Sequence, residues 1–388
     1  MPFALYLLAL AVFAQGTSEF MLSGLIPDLA HDLGVSVPAA GSLTSAFAVG
    51  MIVGAPLTAL LGARLSRRAA LFGTLTVFLL AHVAGALTTS YAVLLATRVV
   101  AALANAGFLA VALATAAALA APGTTGRATA TLLGGTTLAC VAGVPGGALL
   151  GHLFGWRAAF WAVALSCVPA LLAVARSVPA GAGERGGARR ELRALRRPRL
   201  LAVLLLGALV NGATFCTFTY LAPLATEVTG LGAGRVPVLL ALFGLGSFAG
   251  VQAAGRLSDA RPLPVLAGGG AALLAGWALF ALAAPSTPAT LVLAFVQGGL
   301  SFAVGATLIA QALDAASGAP TLAGGCATAA LNVGAACGPW AGGAAIAGGL
   351  GYRAVPGVSA GLVAAAFVVA GAALALGART GPRAGREV

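Results

Sequence analysis

Long apolar segments alternate with short polar ones along almost the whole chain. Twelve of these segments have about the 20 residues that a helix needs to cross a bilayer. They are residues 3–27, 42–62, 69–89, 92–121, 128–150, 158–175, 200–225, 236–255, 263–284, 289–312, 321–348 and 354–377. No strand-type alternation of apolar and polar residues is present, which argues against a membrane barrel. The pattern predicts an all-α integral membrane protein with 12 transmembrane helices.

The composition supports this prediction. Of the 388 residues, 60% are hydrophobic and only 8% are charged, whereas a soluble domain averages about 25% charged residues. The first apolar segment has no basic residues before it and continues past Glu19. We therefore expect it to be a membrane span rather than a cleaved signal peptide.

One long polar segment divides the chain into two sets of six spans. We expect an N-terminal six-helix bundle in residues 1–175, a cytoplasmic arginine-rich linker in 176–199 and a C-terminal six-helix bundle in 200–388. Four short sequences recur in the same order 192 to 196 residues later: PDLAHDLG at 27–34 and PLATEVTG at 223–230, RLS at 64–66 and 256–258, GVPGG at 143–147 and GPWAGG at 338–343, GWRA at 155–158 and GYRA at 351–354. The recurrence predicts two parallel pseudo-repeats, an arrangement known in transporters.

The positive charge is distributed unevenly along the chain. All 21 basic residues are arginine and the net charge is +12. With the N-terminus inside, 17 arginines lie on the cytoplasmic side, Arg157, Arg235 and Arg353 lie outside, and Arg98 lies within a span. This asymmetry follows the positive-inside rule and predicts a multi-pass protein of the cytoplasmic membrane with both termini in the cytoplasm. It also disfavours the nucleic-acid patch that a basic chain would otherwise suggest.

Glu19 lies within the first apolar span, with no other charge until Asp28. An ionised carboxylate at the middle of a membrane helix costs about 3 kcal/mol, so such residues usually face a cavity and have a function. A partly buried acid can gain and release a proton near physiological pH. We therefore predict that Glu19 couples transport to protons; a permanently paired structural acid is the alternative.

Three stretches resemble the Major Facilitator Superfamily, specifically its twelve-helix drug:proton antiporters, which include chloramphenicol-resistance exporters. Residues 16–36 (GTSEFMLSGLIPDLAHDLGVS) are similar to the first-helix signature, and residues 143–147 to a fifth-helix motif of antiporters. Residues 59–68 (ALLGARLSRR) resemble the loop after the second helix, although Ala59, Ala63 and Ser66 replace its usual Gly, Asp and Gly. The resemblance implies that these motifs control conformation through Arg64, Arg67, Arg68, Gly143, Pro145, Gly147, Arg256, Asp259, Gly338 and Pro339.

The resemblance also implies that the first, fourth, seventh and tenth helices line a central cavity. Polar residues on each of these spans share a helix face with one another or with aromatic residues, as Gln15, Glu19 and Ser23 do at four-residue spacing. Interhelical hydrogen bonds, worth about 0.6 kcal/mol each, are the alternative explanation. The predicted substrate contacts are Gln15, Phe20, Met21, Ser23, Asn105, Phe108, Asn211, Phe215, Phe218, Tyr220, Gln297 and Ser301.

Arg98 is the only cation within a span, and it matches the arginine of the family's fourth-helix motif. We expect it to pair with Glu19 or to promote release of its proton, although it could instead snorkel to the membrane surface. His82 is expected to pack or form hydrogen bonds rather than to relay protons. The five cysteines lack metal-ligand spacing and are expected to pack, so we expect no metal and no cofactor.

The chain contains no lysine, which excludes a P-loop ATPase and Schiff-base chemistry. From Glu19 and the family resemblance, the hypothesis is proton-coupled efflux of a small amphiphilic drug, such as chloramphenicol, by alternating access. We expect a monomer in the bilayer and no nucleic-acid partner. A proton-coupled exporter of a native metabolite, such as a sugar or amino-acid derivative, is the alternative. An enzyme or a receptor is disfavoured, because neither clustered catalytic residues nor a soluble domain is visible.

Overall fold

The computed structural model describes residues 3–62, 66–119, 125–177, 198–257, 262–315 and 320–380. Within them the chain forms helices and no β-strand. The helices are α1 (Phe3–Phe20), α2 (Ile26–Asp32), α3 (Val37–Gly62), α4 (Arg67–Leu87), α5 (Tyr91–Leu119), α6 (Thr125–Leu138), α7 (Val144–Phe154), α8 (Trp156–Ser177), α9 (Pro198–Thr219), α10 (Leu221–Glu227), α11 (Val236–Leu257), α12 (Pro262–Ala283), α13 (Thr287–Ala315), α14 (Pro320–Ala345) and α15 (Ala354–Thr380). The all-α membrane fold predicted from the apolar segments is confirmed.

Eleven helical segments of the described chain are long and apolar enough to cross a membrane. The predicted span 321–348 is not among them, although it is helical as α14. Glycine and alanine make up most of this helix, and Asn332, Pro339 and Trp340 lower its hydropathy further. The helix was predicted correctly there, but its composition alone does not identify it as a membrane span.

The first and seventh spans break at equivalent places. A 3₁₀ turn, Met21–Gly24, separates α1 from α2, and Tyr220 separates α9 from α10. Each break lies shortly before a proline, Pro27 or Pro223, 196 residues apart. Proline has no N–H to donate and its ring clashes with the carbonyl four residues earlier, so a helix running through these points is disfavoured.

Two pairs of glycines confirm the repeat in the backbone itself. Gly34 and Gly230 adopt φ of 63° and 71°, and Gly155 and Gly351 adopt φ of 81° and 71°. The members of each pair are 196 residues apart. Positive φ is costly for residues with a Cβ, so each copy of the unit uses glycine to turn between the same two helices.

Arginines donate hydrogen bonds to the C-terminal carbonyls of equivalent helices in the two halves. Arg157 Nη2 donates to the carbonyl of Thr88 at the end of α4, at 3.1 Å. Arg353 donates from Nε to Ala281 at 2.8 Å and from Nη2 to Leu282 at 3.0 Å, at the end of α12. The last carbonyls of a helix lack partners within the helix, and basic side chains satisfy them. The arginines of the repeated GWRA and GYRA sequences thus cap the C-termini of equivalent helices.

The first half adds an ion pair to this contact. Asp32 accepts hydrogen bonds from Arg157 and from Trp156 Nε1, the latter at 2.9 Å. These bonds, chiefly the one from Trp156, lower the pKa of the Asp32 carboxyl below its ordinary value. The position 196 residues later is Val228, so the second half has no acid at the equivalent position.

The fifth and eleventh spans also differ. A π-helical turn, Ala139–Gly143, precedes Pro145 in the fifth span, whereas α14 continues through Pro339. A π turn is a common response of a helix to a lost backbone hydrogen bond or an inserted residue. The fifth-span motif therefore follows a π turn, and its counterpart in the second half stays α-helical.

Two large hydrophobic cores form inside the described chain. One lies within the first six spans and includes Leu22, Phe78 and Phe160. The other lies within the last six and includes Trp277 and Phe280, with two residues of α7 added to it. The two groups of helices therefore pack mainly within themselves, which is the arrangement required if they move as units.

Close contacts between the groups lie toward the end of the bundle opposite the termini. Ser45 Oγ donates to the carbonyl of Ala336 at 2.7 Å, which joins α3 to α14. A Cβ at Gly41 would overlap the Tyr220 hydroxyl. Gly41, Ser45 and Tyr220 are all closer to the α2–α3 end than to the termini. The halves are therefore closed together at that end.

Candidate functional site

Glycines of the fifth span fix the rotation of α1. A Cβ at Gly143 would overlap Thr17 Oγ1, and one at Gly147 would lie 3.1 Å from Met21 Cβ. Small residues permit this close approach of two membrane helices. Thr17 and Met21 share a helix face, whereas Glu19 is about 200° around the axis from Thr17 at 100° per residue. The packing therefore turns Glu19 away from the fifth span.

Glu19 is partly exposed, although Gln15, Ser18 and Met21 on the same helix are buried. It forms no hydrogen bond and no ion pair with any residue that the structure describes. Arg98 and Cys140 are close enough to interact with it electrostatically. An acid with free oxygens at the edge of an apolar interior can take up a proton or accept a hydrogen bond from a ligand.

Arg98 is buried, with 1% of its surface exposed, so it does not snorkel to the membrane surface. Its Nη1 donates to Ser18 Oγ at 2.8 Å and its Nη2 to the Ser18 carbonyl at 2.9 Å. The guanidinium carbon lies 4.3 Å from the centre of the Phe47 ring, a cation–π distance. In this conformation Arg98 thus binds the backbone and side chain beside Glu19 rather than the carboxylate itself.

A cavity lies between the two halves of the protein, and Phe20, the residue that follows Glu19, lines it. It encloses roughly 300 Å³ of space between atoms, including its open side, and is lined by Phe20, Cys140, Val144, Thr214, Phe215, Phe218, Phe243, Gly244, Ser247 and Phe302. The Thr214 and Ser247 hydroxyls donate to carbonyls of their own helices. Their hydroxyl hydrogens are thus not available to a ligand, and the rest of the wall is mostly apolar.

Five phenylalanine rings form a connected cluster around this cavity. Phe20 of the first half lies 5.7 Å from Phe215 and 6.4 Å from Phe218 of the second. Phe218 lies 4.7 Å from Phe243, which is 6.5 Å from Phe302. Rings in tilted and edge-on contact suit aromatic ligands, because aromatic pairs prefer these arrangements. The chemistry of the cavity wall therefore suits an aromatic or amphiphilic ligand.

Three of the predicted substrate contacts, Phe20, Phe215 and Phe218, line the cavity. Two others, Met21 and Phe108, are fully buried in the core of the first half. Tyr220 donates its hydroxyl to the Pro339 carbonyl at 2.9 Å, where the halves meet. None of these last three lies on the cavity wall in this conformation, and their contact with a substrate stays a prediction.

The predicted polar contacts also lie away from the cavity wall. Asn211 Nδ2 donates to the Leu331 carbonyl at 2.7 Å, and Gln297 Nε2 to the Leu273 carbonyl at 3.0 Å. These are interhelical hydrogen bonds, the alternative explanation for the polar stripes. Ser23 donates to the Phe20 carbonyl within its own span.

Gln15, Asn105 and Ser301 are buried polar residues. Both amide atoms of Gln15 and the hydroxyl of Ser301 lack a hydrogen-bond partner among the described residues. Gln15 lies one helical turn before Glu19 on the same face. Its unpaired amide stays a candidate contact for a proton path or a ligand.

Seven of the ten cavity residues were not among the predicted substrate contacts: Cys140, Val144, Thr214, Phe243, Gly244, Ser247 and Phe302. Phe243 and Ser247 belong to α11, and Phe302 to α13, one position beyond the predicted Ser301. The search for polar stripes could not find them, because a phenylalanine in an apolar helix has no distinguishing neighbours. Thr214 precedes the predicted Phe215 and would have required knowledge of the rotation of α9.

The predicted conformational motifs are described in part. Arg64 and Asp259 lie outside the described residues, as does the side chain of Arg256. Ser66 caps α4 by accepting from Ala69 N at 3.2 Å, and Arg68 donates to the Ala175 carbonyl at the end of α8. Arg67 begins α4 and also has an interaction partner. Gly338 packs directly on the backbone of Gly212, as Gly143 packs on Thr17.

Comparison with known proteins identifies the family. The model of the Major Facilitator Superfamily matches residues 8–321. A "Chloramphenicol resistance protein" of Streptomyces lividans is 59% identical over 344 residues, covering 87% of this chain and 88% of the relative. The inner membrane transport protein YdhP of Escherichia coli K12 is 36% identical over 375 residues, covering 96% and 95%.

Solved structures agree with the fold. A bacterial homologue of the human lysosomal transporter Spinster, solved in an inward-facing and unoccupied conformation, has a TM-score of 0.75 at 18% identity, with 95% of each chain covered. The same homologue in an occupied conformation has a TM-score of 0.76 at 18% identity, with 95% of this chain and 96% of that chain covered. Together with the duplicated helices and the cavity between the halves, these similarities show that the chain belongs to the Major Facilitator Superfamily of membrane transporters.

Proposed function

We propose that this transporter exports a small aromatic amphiphile, of the chemical class of chloramphenicol, in exchange for protons. The observation that carries the proposal is the position of Glu19, a partly exposed acid within the membrane region, beside a cavity walled by phenylalanine. The relative from Streptomyces lividans, named for chloramphenicol resistance, supports the substrate class.

Glu19 makes binding of the proton and of the drug mutually exclusive in this proposal. Ionised Glu19 accepts hydrogen bonds from hydroxyl or amide N–H groups of a ligand whose ring occupies the phenylalanine cluster. Hydrogen bonds to a charged acceptor are about twice as strong as neutral ones. Protonation removes the charge and weakens the acceptor, so arrival of a proton from outside favours release of the drug. Arg98 contributes a fixed positive charge nearby.

The proton gradient supplies enough energy for this exchange. Moving one proton inward gains about 2.3 kcal/mol per 100 mV of membrane potential. Since about 1.4 kcal/mol corresponds to a tenfold concentration ratio, one proton per neutral drug supports a gradient of roughly 40-fold per 100 mV.

The orientation follows from the placement of the arginines. We propose that the protein lies in the cytoplasmic membrane with both termini inside. Because the halves touch at the end away from the termini, the described conformation would then be closed toward the outside. A protease-cleavable tag on the C-terminus should be removed in inverted vesicles and protected in right-side-out ones; protection in inverted vesicles would reverse the orientation.

The direct test uses the same inverted vesicles, an imposed pH gradient and radiolabelled chloramphenicol. Glu19→Gln keeps the shape of the side chain but cannot ionise, and we expect it to reduce gradient-driven uptake at least 100-fold. Glu227→Gln, which neutralises an exposed acid, should transport like the wild type. Full uptake by Glu19→Gln would refute coupling through this residue. Gradient-driven transport of other molecules but not of chloramphenicol would favour the metabolite exporter.

A further inference from the structure

His82 is a buried histidine of α4 whose environment is built from several spans. Its exposed surface is 1%. The rings of Phe78 and Phe160 lie 4.2 Å and 5.7 Å from the imidazole. The proposed exchange of drug and proton gives this residue no part, and an aromatic or aliphatic side chain would fill the same space without a polar group.

The hydrogen bonds of His82 define which ring nitrogen carries the hydrogen. Nδ1 lies 2.8 Å from the Phe78 carbonyl oxygen. A carbonyl oxygen only accepts, so Nδ1 is the donor. In a neutral imidazole Nε2 is then an acceptor. Nε2 lies 2.6 Å from Ser18 Oγ, and the Ser18 hydroxyl is therefore the donor in that bond.

The orientation of the Ser18 hydroxyl also affects Arg98. Because its hydrogen points to His82, the lone pairs of Ser18 Oγ are free for the bond from Arg98 Nη1 at 2.8 Å. The Ser18 carbonyl receives Nη2 at 2.9 Å. Arg98 Nε has no partner among the described residues. The two Ser18 oxygens thus provide the hydrogen bonds that the structure describes for the guanidinium, and one of them depends on His82.

We propose that His82 is a positioning residue for proton coupling, which holds Arg98 beside Glu19 through the hydroxyl of Ser18. The inference rests on the proposed function, since it concerns the charge that faces Glu19. Without an acceptor at His82, the Ser18 hydroxyl is free to donate to a carbonyl of the preceding turn of α1, as serines in helices do. This rotation of the hydroxyl disturbs the bond from Arg98 Nη1 to Ser18 Oγ, while the bond from Nη2 to the Ser18 carbonyl remains. The guanidinium then shifts and the field at Glu19 changes, while the cavity for the drug stays intact.

Three substitutions at His82 separate positioning from packing. His82→Gln places an amide oxygen near the position of Nε2 and keeps an acceptor for Ser18. His82→Asn retains a donor to the Phe78 carbonyl but is too short to reach Ser18. His82→Phe fills the space of the ring and makes neither bond. The variants therefore remove the bond to Ser18 with and without the bond to Phe78.

The measurement compares two activities of the same vesicles with radiolabelled chloramphenicol. Uptake driven by a pH gradient requires coupling, whereas exchange of labelled for unlabelled drug moves no net protons. We expect His82→Asn and His82→Phe to reduce driven uptake at least 10-fold and to change exchange less than twofold, and His82→Gln to keep at least half of the driven uptake. Normal driven uptake by His82→Phe, or equal losses of both activities in all three variants, would overturn the proposal.

Ser18→Ala provides a second test that does not alter His82. If both residues act through one chain of hydrogen bonds, the Ser18→Ala, His82→Phe double variant should lose no more driven uptake than the more affected single variant. Multiplied losses would contradict the inference. Failure of the proposed function itself looks different: wild-type uptake would then not depend on the pH gradient at all.

Discussion

Glu19 in the first half and Phe215 in the second occupy equivalent positions, 196 residues apart, on helices that break at the same point. Around Glu19 the first half has buried polar groups on three spans, Ser18, His82 and Arg98. Around Phe215 the second half has Phe218, Phe243 and Phe302. Charged residues described in the second half lie near helix ends. The same backbone thus carries an acid beside a buried hydrogen-bond network in one copy and an aromatic wall in the other.

This difference separates what a duplicated transporter must keep from what it can change. Both copies have the positive-φ glycines, the helix-ending arginines and the close packing of glycine between the first and fifth spans of the unit. These features determine how helices turn and approach each other. Side chains that face the space between the halves do not determine how the helices turn or pack, so each copy can supply different chemistry to one shared site.

The aromatic wall gives the largest expected effect among the tests of this comparison. Phe218→Ala and Phe243→Ala should each weaken binding of chloramphenicol by about 10- to 100-fold, because burial of an aromatic side chain is worth about 1.5–3 kcal/mol. Phe295→Ala, in α13 but exposed on the outside of the bundle, is the control. Binding can be measured calorimetrically in detergent, with proton release recorded at the same time.

Proton release per bound drug should be unchanged in the two cavity variants at saturating drug. The second half would then contribute affinity and the first half coupling. Loss of proton release in Phe218→Ala, with drug still bound, would show that the two functions are not divided between the halves.

The helix-ending arginines offer a smaller effect. Arg353→Ala removes two hydrogen bonds to carbonyls, and Arg157→Ala removes one such bond together with the pair to Asp32. Net contributions of about 0.5–1.5 kcal/mol per hydrogen bond predict a lower melting temperature for both variants in detergent. Arg235→Ala, at an exposed position, should have no effect. Equal melting of all three variants would deny the arginines a structural role.

Asp32 gives the smallest effect, and its sign depends on pH. The pKa of Asp32 is lower in the folded protein because Trp156 and Arg157 bind its ionised form. Its contribution to stability is therefore complete above the ordinary pKa of 3.8 and is lost as pH falls through the folded value. Exposed ion pairs contribute at most about 1 kcal/mol.

Asp32→Asn should accordingly lower the melting temperature slightly at pH 7 and leave it unchanged in strong acid. Arg353→Ala should lack this pH dependence, because the described partners of Arg353 are carbonyl oxygens, which do not titrate. A pH-independent effect of Asp32→Asn, measured by thermal unfolding from pH 7 down into strong acid, would assign its role to packing rather than charge.

Much of the fold could be predicted from the sequence because its signals are local or repeated. Apolar length defined the spans, and the recurrence of Pro27 as Pro223 and of Gly155 as Gly351 revealed the duplication. Glu19 was also found locally, since a single charge is conspicuous in an apolar helix. Composition was less informative for α14, where glycine and alanine reduce hydropathy although the helix packs within the bundle.

The cavity was predicted only in part. Phe20, Phe215 and Phe218 were found because they lie on spans with polar stripes, but the stripes themselves belong largely to interhelical hydrogen bonds, as at Asn211 and Gln297. A stripe of polar residues tells which face of a helix is inside the protein. It does not tell whether that face meets another helix or an open space.

The sequence by itself determined that this protein is a duplicated all-helical membrane protein with an acid in its first span. Each of these properties depends on the composition or order of residues within one stretch of chain. Only the tertiary structure decided that Arg98 binds Ser18 and that His82 orients the Ser18 hydroxyl. It also decided that Phe243 and Phe302 complete the wall. Hydrogen bonds and ring contacts depend on distances of a few ångströms between separate helices, and these distances follow from how glycines and prolines set the rotation and tilt of each helix.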